Sequence, residues 1–138
     1  MKTHDPYFVL EKIRKYLDED IYPTRVREVI ELKNWKYYET SMDDKINDAY
    51  VPEYDDSHWV DFKLLDTWGG YDKVAWFRCK AAIPESYWEK QIAFKGIIGP
   101  RDGGGSTAET LLYIDGKPIQ GIDIWHEEAF LDPAIYMN

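Results

Sequence analysis

The ten residues Val74–Ile83, VAWFRCKAAI, decide how the rest of the chain is read. Alternate positions Ala75, Phe77, Cys79, Ala81 and Ile83 form a small-to-medium apolar face, while Trp76, Arg78 and Lys80 point the other way. An apolar period of two is the pattern of a half-buried β-strand, because an extended backbone projects successive side chains to opposite faces. Pro84 ends the strand, since it has no N–H to give to a ladder.

Moving toward the C-terminus, the link ESYWEK (85–90) leads to a second β-rich run at Gln91–Ile98. The segment PRDGGGSTAE that follows has three consecutive glycines and no apolar residue larger than alanine, which predicts a flexible loop over Pro100–Thr107. Thr110–Ile114 reads as a strand, Asp115-Gly116 as a two-residue hairpin turn, and Lys117–Ile122 as the returning strand. A last short strand is expected at Glu128–Leu131. Short strands separated by turn signals predict a mainly β protein, a sandwich rather than a parallel sheet. The tail DPAIYMN has no terminating element and reads as part of a longer chain.

Moving the other way, Asp5-Pro6 resembles an N-cap with proline at the first helical position. Leu10, Ile13 and Leu17, with Tyr16 beside them, lie at helical spacing, so a helix is expected over 6–18, lying on something larger. Arg25–Lys33 fits a helix by its spacing and a strand by its β-branched residues. Residues 34–58 read as irregular chain wrapping the core. The division is a lead-in over 1–33 and a sandwich over 34–138, one domain in all.

The chain has 138 residues, 44% hydrophobic and 16% aromatic, enough for a real core. Its net charge of −9 repels phosphate backbones, so nucleic acid and anionic membranes are poor partners. The single cysteine, Cys79, excludes an intrachain disulfide and is expected to be buried and inert. No signal peptide opens the sequence and no stretch approaches the roughly 20 apolar residues of a membrane span, so a cytoplasmic setting is expected.

Chemistry-bearing patterns are thin. His4, His58 and His126 are scattered, with no H-E-x-x-H or C-x-x-C spacing, and no metal site is expected in this chain. The doublets Asp43-Asp44 and Asp55-Asp56 sit in turn-like surroundings, where aspartate commonly bonds its own backbone. GPRDGGGST shares only its glycines with a phosphate-binding loop; it lacks the Gly-Lys-Ser/Thr ending and no helix pattern follows. Trp68 and Tyr71, around Gly69-Gly70, are the ligand-binding candidates, because the apolar face of a sugar packs on aromatic rings. For Trp68 a packing role is favoured over a sugar platform.

The runs DDSHW (55–59), WGGYDKVAWFRCKAAIPESYWEKQIAFKGIIG (68–99) and ETLLYIDGKPIQGIDIWHEEAFL (109–131) together resemble the amino-terminal domain of bacterial and fungal-type alpha-mannosidases of glycoside hydrolase family 38. The resemblance implies a galactose-binding-like jelly-roll β-sandwich with an amino-terminal helix. It also implies a non-catalytic role ahead of a zinc-dependent catalytic barrel whose zinc ligands and catalytic aspartate lie downstream. Asp123, His126 and Glu128 match the family's D-x-x-H-x-E stretch and are expected near the junction with that catalytic domain. The expected partners are the catalytic domain of the same chain and a second copy, with weak or no binding of free sugar. The strand–I-P-x-x-W–strand–Y-I-D-G-K half of the pattern also resembles the sugar-binding sandwich of beta-galactosidase-like enzymes, and a free-standing carbohydrate-binding module or a pure assembly domain are further alternatives.

Overall fold

The computed structural model describes residues 6–25, 28–43, 48–99 and 108–137. His4, the Asp5 cap, Asp44 and the glycine-rich loop Pro100–Thr107 lie outside the described residues. The fold is mainly strand with an amino-terminal helix and several small antiparallel sheets. The chain divides into two compact units, Met1–Leu32 and Lys33–Asn138.

The first unit runs through α1 (Pro6–Tyr16), a π turn at Leu17–Ile21 and α2 (Tyr22–Arg25). The helical path therefore extends past residue 18, where the sequence pattern ended it. The wide turn, closed by Tyr22 N–H on the Leu17 carbonyl, comes immediately before Pro23, whose missing N–H interrupts the ordinary ladder. Leu10, Ile13 and Tyr16 are exposed, and Leu17 is half-buried.

The second unit is built on β1 (Trp35–Ser41), flanked antiparallel by β2 (Val60–Phe62) and β3 (Lys73–Arg78). This corrects the reading of 34–58 as irregular: WKYYETS, from Trp35 to Ser41, forms the central strand. Three aromatic rings and a threonine suit a pleated surface covered on both sides. The Val74–Ile83 strand is also shorter than expected and stops at Arg78. The register pairs Lys36 with Arg78, and Asn34, at φ 60°, turns the partner chain out of the extended region one residue before β1. Cys79 to Ile83 therefore have no ladder to continue, and Ala81 is exposed.

Both faces of this sheet carry aromatic rings. On one, Phe77 lies 5.1 Å from Tyr37, 5.0 Å from Phe62 and 4.9 Å from Trp68, centroid to centroid. On the other, Tyr38 stacks on the buried Trp59 at 5.6 Å, and Trp76 lies 6.4 Å from Tyr113. Trp76 and Arg78 do point away from Phe77, but into a second layer of side chains rather than solvent.

The remaining strands form two ribbons. A hairpin joins β5 (Thr110–Ile114) to β6 (Lys117–Ile122), and β4 (Ala93–Lys95) pairs with β7 (Glu128–Phe130). Asp115 and Gly116 both take positive φ, 48° and 77°, the geometry of a tight hairpin turn. A short helix, α3 (Pro133–Tyr136), follows, capped by the Asp132 carboxylate accepting from the Ala134 N–H. The tail DPAIYMN thus contains a helical turn that its sequence did not suggest. Ile122 and Ala129 are almost completely buried where β6 and β7 adjoin, and Gln120 Nε2 donates to the Glu128 carbonyl across them. No helix among the described residues is long and apolar enough to cross a membrane.

Candidate functional site

Trp68 and Tyr71 share a loop but not a surface. The Trp68 ring is half-buried, edge-on to Phe77 at 77° between planes, whereas Tyr71 is 93% exposed. Gly69, at φ 89°, makes the turn that separates them. The nearby carboxylate of Asp66 accepts from the Lys63 N–H and closes its own local turn. Trp68 is thus part of the packing, and Tyr71 projects from it.

The Asp55-Asp56 doublet is likewise engaged in local structure. Asp55 accepts from the Ser57 N–H, and its interactions with Ser57 hold its carboxyl below the usual range. Asp56 pairs with Arg78. His58 lies edge-on to Tyr38 and Trp59. Cys79 is half-buried just past β3; its Sγ donates to the Lys33 carbonyl at 3.1 Å, and burial pushes the thiol pKa up. Among the described residues, no group of three or more His, Cys, Asp or Glu side chains is placed to hold a metal ion.

The Asp123–Glu128 segment has the most defined local geometry. Asp123 Oδ1 accepts from the Trp125 N–H and the His126 N–H, both at 2.7 Å, and His126 Nδ1 lies 3.0 Å from both carboxylate oxygens. The backbones of Asp123 and His126 also bond reciprocally, at 3.3 and 3.2 Å. The hydrogen bond from His126, followed in importance by those from the backbone, holds the Asp123 carboxyl below its usual range. Glu127 is buried, and Glu128 is half-buried in β7. Asp123 and His126 therefore form one clasp, while Glu128 belongs to the β4–β7 ribbon beyond it.

This clasp borders an open cleft of about 480 Å³ whose lining includes Glu109, Thr110, Leu111 and Ile122 as well as Asp123 and His126. Thr110 Oγ1 is shielded from water and has no hydrogen-bond partner among the described residues. Beside the cleft's rim, Trp125 is 79% exposed. Sequence reading selected Asp123 and His126 but missed Glu109 and Thr110 as their neighbours. The hairpin signal itself held the clue, because a Thr110–Ile122 pairing sets the residues flanking both strand ends side by side.

No protein-family model matches the chain, and comparison with curated proteins and with solved structures yields no match.

Proposed function

We propose that this chain is the non-catalytic amino-terminal accessory domain of a zinc-dependent alpha-mannosidase, supporting assembly and the catalytic domain that follows. The observation that carries this reading is the behaviour of the last of the three runs resembling that family, Glu109–Leu131. It folds as one continuous unit of hairpin, Asp123–His126 clasp and short strand. The three small sheets are read as parts of a galactose-binding-like jelly-roll sandwich. On this reading no residue of the chain is catalytic, and the zinc and its ligands belong to the downstream barrel. Self-association of the chain also fits, through surface that the catalytic domain would otherwise cover. A carbohydrate-binding module is the second reading, favoured by the exposure of Tyr71 beside Gly69-Gly70.

The test is expression of the complete coding sequence and assay on an aryl alpha-mannoside. The expected result is zinc-dependent hydrolysis by the complete protein and none by residues 1–138. A coding sequence with no zinc-binding barrel after residue 138 overturns the proposal.

A further inference from the structure

We propose that the helical segment over residues 6–25 pairs antiparallel with the same segment of a second copy of this chain. The pairing does not depend on the accessory-domain reading, and it belongs to the unit Met1–Leu32.

A continuous apolar seam is the first requirement. Leu10, Ile13 and Leu17 recur at spacings of three and four, the repeat by which one helix meets another along its length. Continuing that repeat would put the next seam residue at position 20, which is an aspartate. The wide turn at Leu17–Ile21 takes up one extra residue and so passes the seam position to Ile21. The apolar line therefore runs from Leu10 to Ile21 despite the acidic run within it.

The segment also needs a facing layer. None of its described side chains is buried, and Leu10, Ile13 and Ile21 are 62%, 51% and 38% exposed. A helix of this length draws most of its stability from packing an apolar face rather than from its own hydrogen bonds.

Charge selects the occupant. α1 carries Lys12, Arg14 and Lys15 against Glu11 alone, whereas the wide turn carries Asp18, Glu19 and Asp20 and no basic residue. A parallel pair would set like charges side by side. An antiparallel pair sets the basic half of each copy against the acidic half of the other, with Leu10 near Ile21 and Ile13 near Leu17. Two halves complementary to each other make the segment complementary to itself, as a twofold interface requires. Within one helix the Arg14–Asp18 and Lys15–Glu19 pairs are 3.8 and 3.9 Å apart and at least half-exposed. Such loose pairs are held weakly and are readily shared across the seam.

Sedimentation equilibrium of residues 1–138 measures the pairing. All six tryptophans lie between Trp35 and Trp125, so their fluorescence reports the fold of the second unit whatever is changed in the helix. The chain is expected to dimerise with rising concentration. Ile13→Asp is expected to raise the dissociation constant about tenfold or more, with tryptophan emission unchanged. Replacing Lys12, Arg14 and Lys15 with glutamate makes the segment acidic throughout, and replacing Asp18, Glu19 and Asp20 with lysine makes it largely basic. Each triple variant is expected to be monomeric by itself. Their mixture should dimerise, as should a single chain carrying all six changes, and either recovery shows that the variants still fold. A native chain that stays monomeric at every concentration overturns the pairing and leaves the stripe to the chain's own fold. A dimer that Ile13→Asp leaves intact lies on another surface and overturns it as well. Triple variants that dimerise as tightly as the native chain, or a six-fold variant that does not dimerise, overturn the antiparallel arrangement.

Discussion

Arg78 Nε donates to Asp56 Oδ2 at 2.9 Å, and the same guanidinium binds the carbonyls of Ala49, Val51 and Pro52. A single β3 side chain thus ties the turn-rich passage before β2 to the sheet. Tyr54 covers the guanidinium at 5.5 Å from its ring centroid, and the Arg78 side chain is only 14% exposed. Replacing Arg78 with methionine would leave these carbonyls and Asp56 without their donor. Loss of one partner from a largely covered ion pair costs about 3–5 kcal/mol, and the part-exposure of Asp56 puts the expected loss nearer 3. Lysine is expected to recover little, since a point-charge ammonium cannot span these positions. Urea unfolding of both variants measures this, and a loss under about 1 kcal/mol refutes the clamp.

The passage held by Arg78 supports the hairpin in turn. Tyr50 stacks on Tyr113 at 5.2 Å, and a Cβ added at Gly116 would lie 3.2 Å from Pro52 Cδ. Gly116→Ala therefore meets both a positive φ of 77° and a tight contact. A left-handed conformation costs a residue with a side chain about 1–2 kcal/mol. Thermal unfolding should register a loss of at least that size, and an unchanged melting temperature would contradict the turn geometry.

The hairpin was legible in the sequence because its signals are local: Asp-Gly at the turn and apolar positions on either side. The ends of β3 were not, because they depend on where the partner strand stops, and Asn34 sets that from some forty residues away. β1 was missed for a related reason. WKYYETS lacks a clean apolar–polar alternation because aromatic layers cover both faces of the central strand. At the site, Asp123 and His126 stood out through a short motif, whereas the cleft emerges only when Glu109 and Asp123 are brought together by pairing. Trp68 gave the least away: a tryptophan beside two glycines reads the same whether its ring faces solvent or Phe77.

Cys79 should be slow to react. Its Sγ–H is engaged with the Lys33 carbonyl, and burial raises its pKa, which lowers the thiolate fraction at neutral pH. Labelling by a chromogenic disulfide at pH 7.5 is expected to run at least tenfold slower in the folded protein than in urea. Equal rates would show that the thiol is open to solvent.

Tyr37 gives the alkaline limb of the stability profile a defined place. Burial, reinforced by its hydrogen bond to Glu39, raises the phenol from 10.0 to about 12. The folded state therefore holds this proton more tightly than the unfolded chain. The resulting stabilisation is complete below pH 10 and is lost as pH rises toward 12. Tyr37→Phe should remove that part of the slope, because phenylalanine has no proton to lose. Chemical denaturation of both proteins from pH 9 to 12 tests this, and parallel profiles would refute it.

Trp68 separates the two functional readings. In an accessory domain its ring is part of the packing; in a carbohydrate-binding module it would be a platform for sugar. Its edge contact with Phe77 at 4.9 Å favours packing, and Trp68→Ala should cost about 2–3 kcal/mol, less than the ~3–5 of a fully buried aromatic because the ring is half-exposed. Tyr71→Ala, at a 93% exposed position, should change stability by no more than about 0.5 kcal/mol. One aromatic stacking contact contributes only about 0.5–1.5 kcal/mol, against roughly 4 kcal/mol for even a millimolar complex. Mannose or mannobiose is therefore expected to leave tryptophan fluorescence without a saturable change at micromolar concentrations. A saturable micromolar response that disappears in Tyr71→Ala, or in a Trp68→Ala variant that keeps its fold, would make the carbohydrate-binding module the better reading.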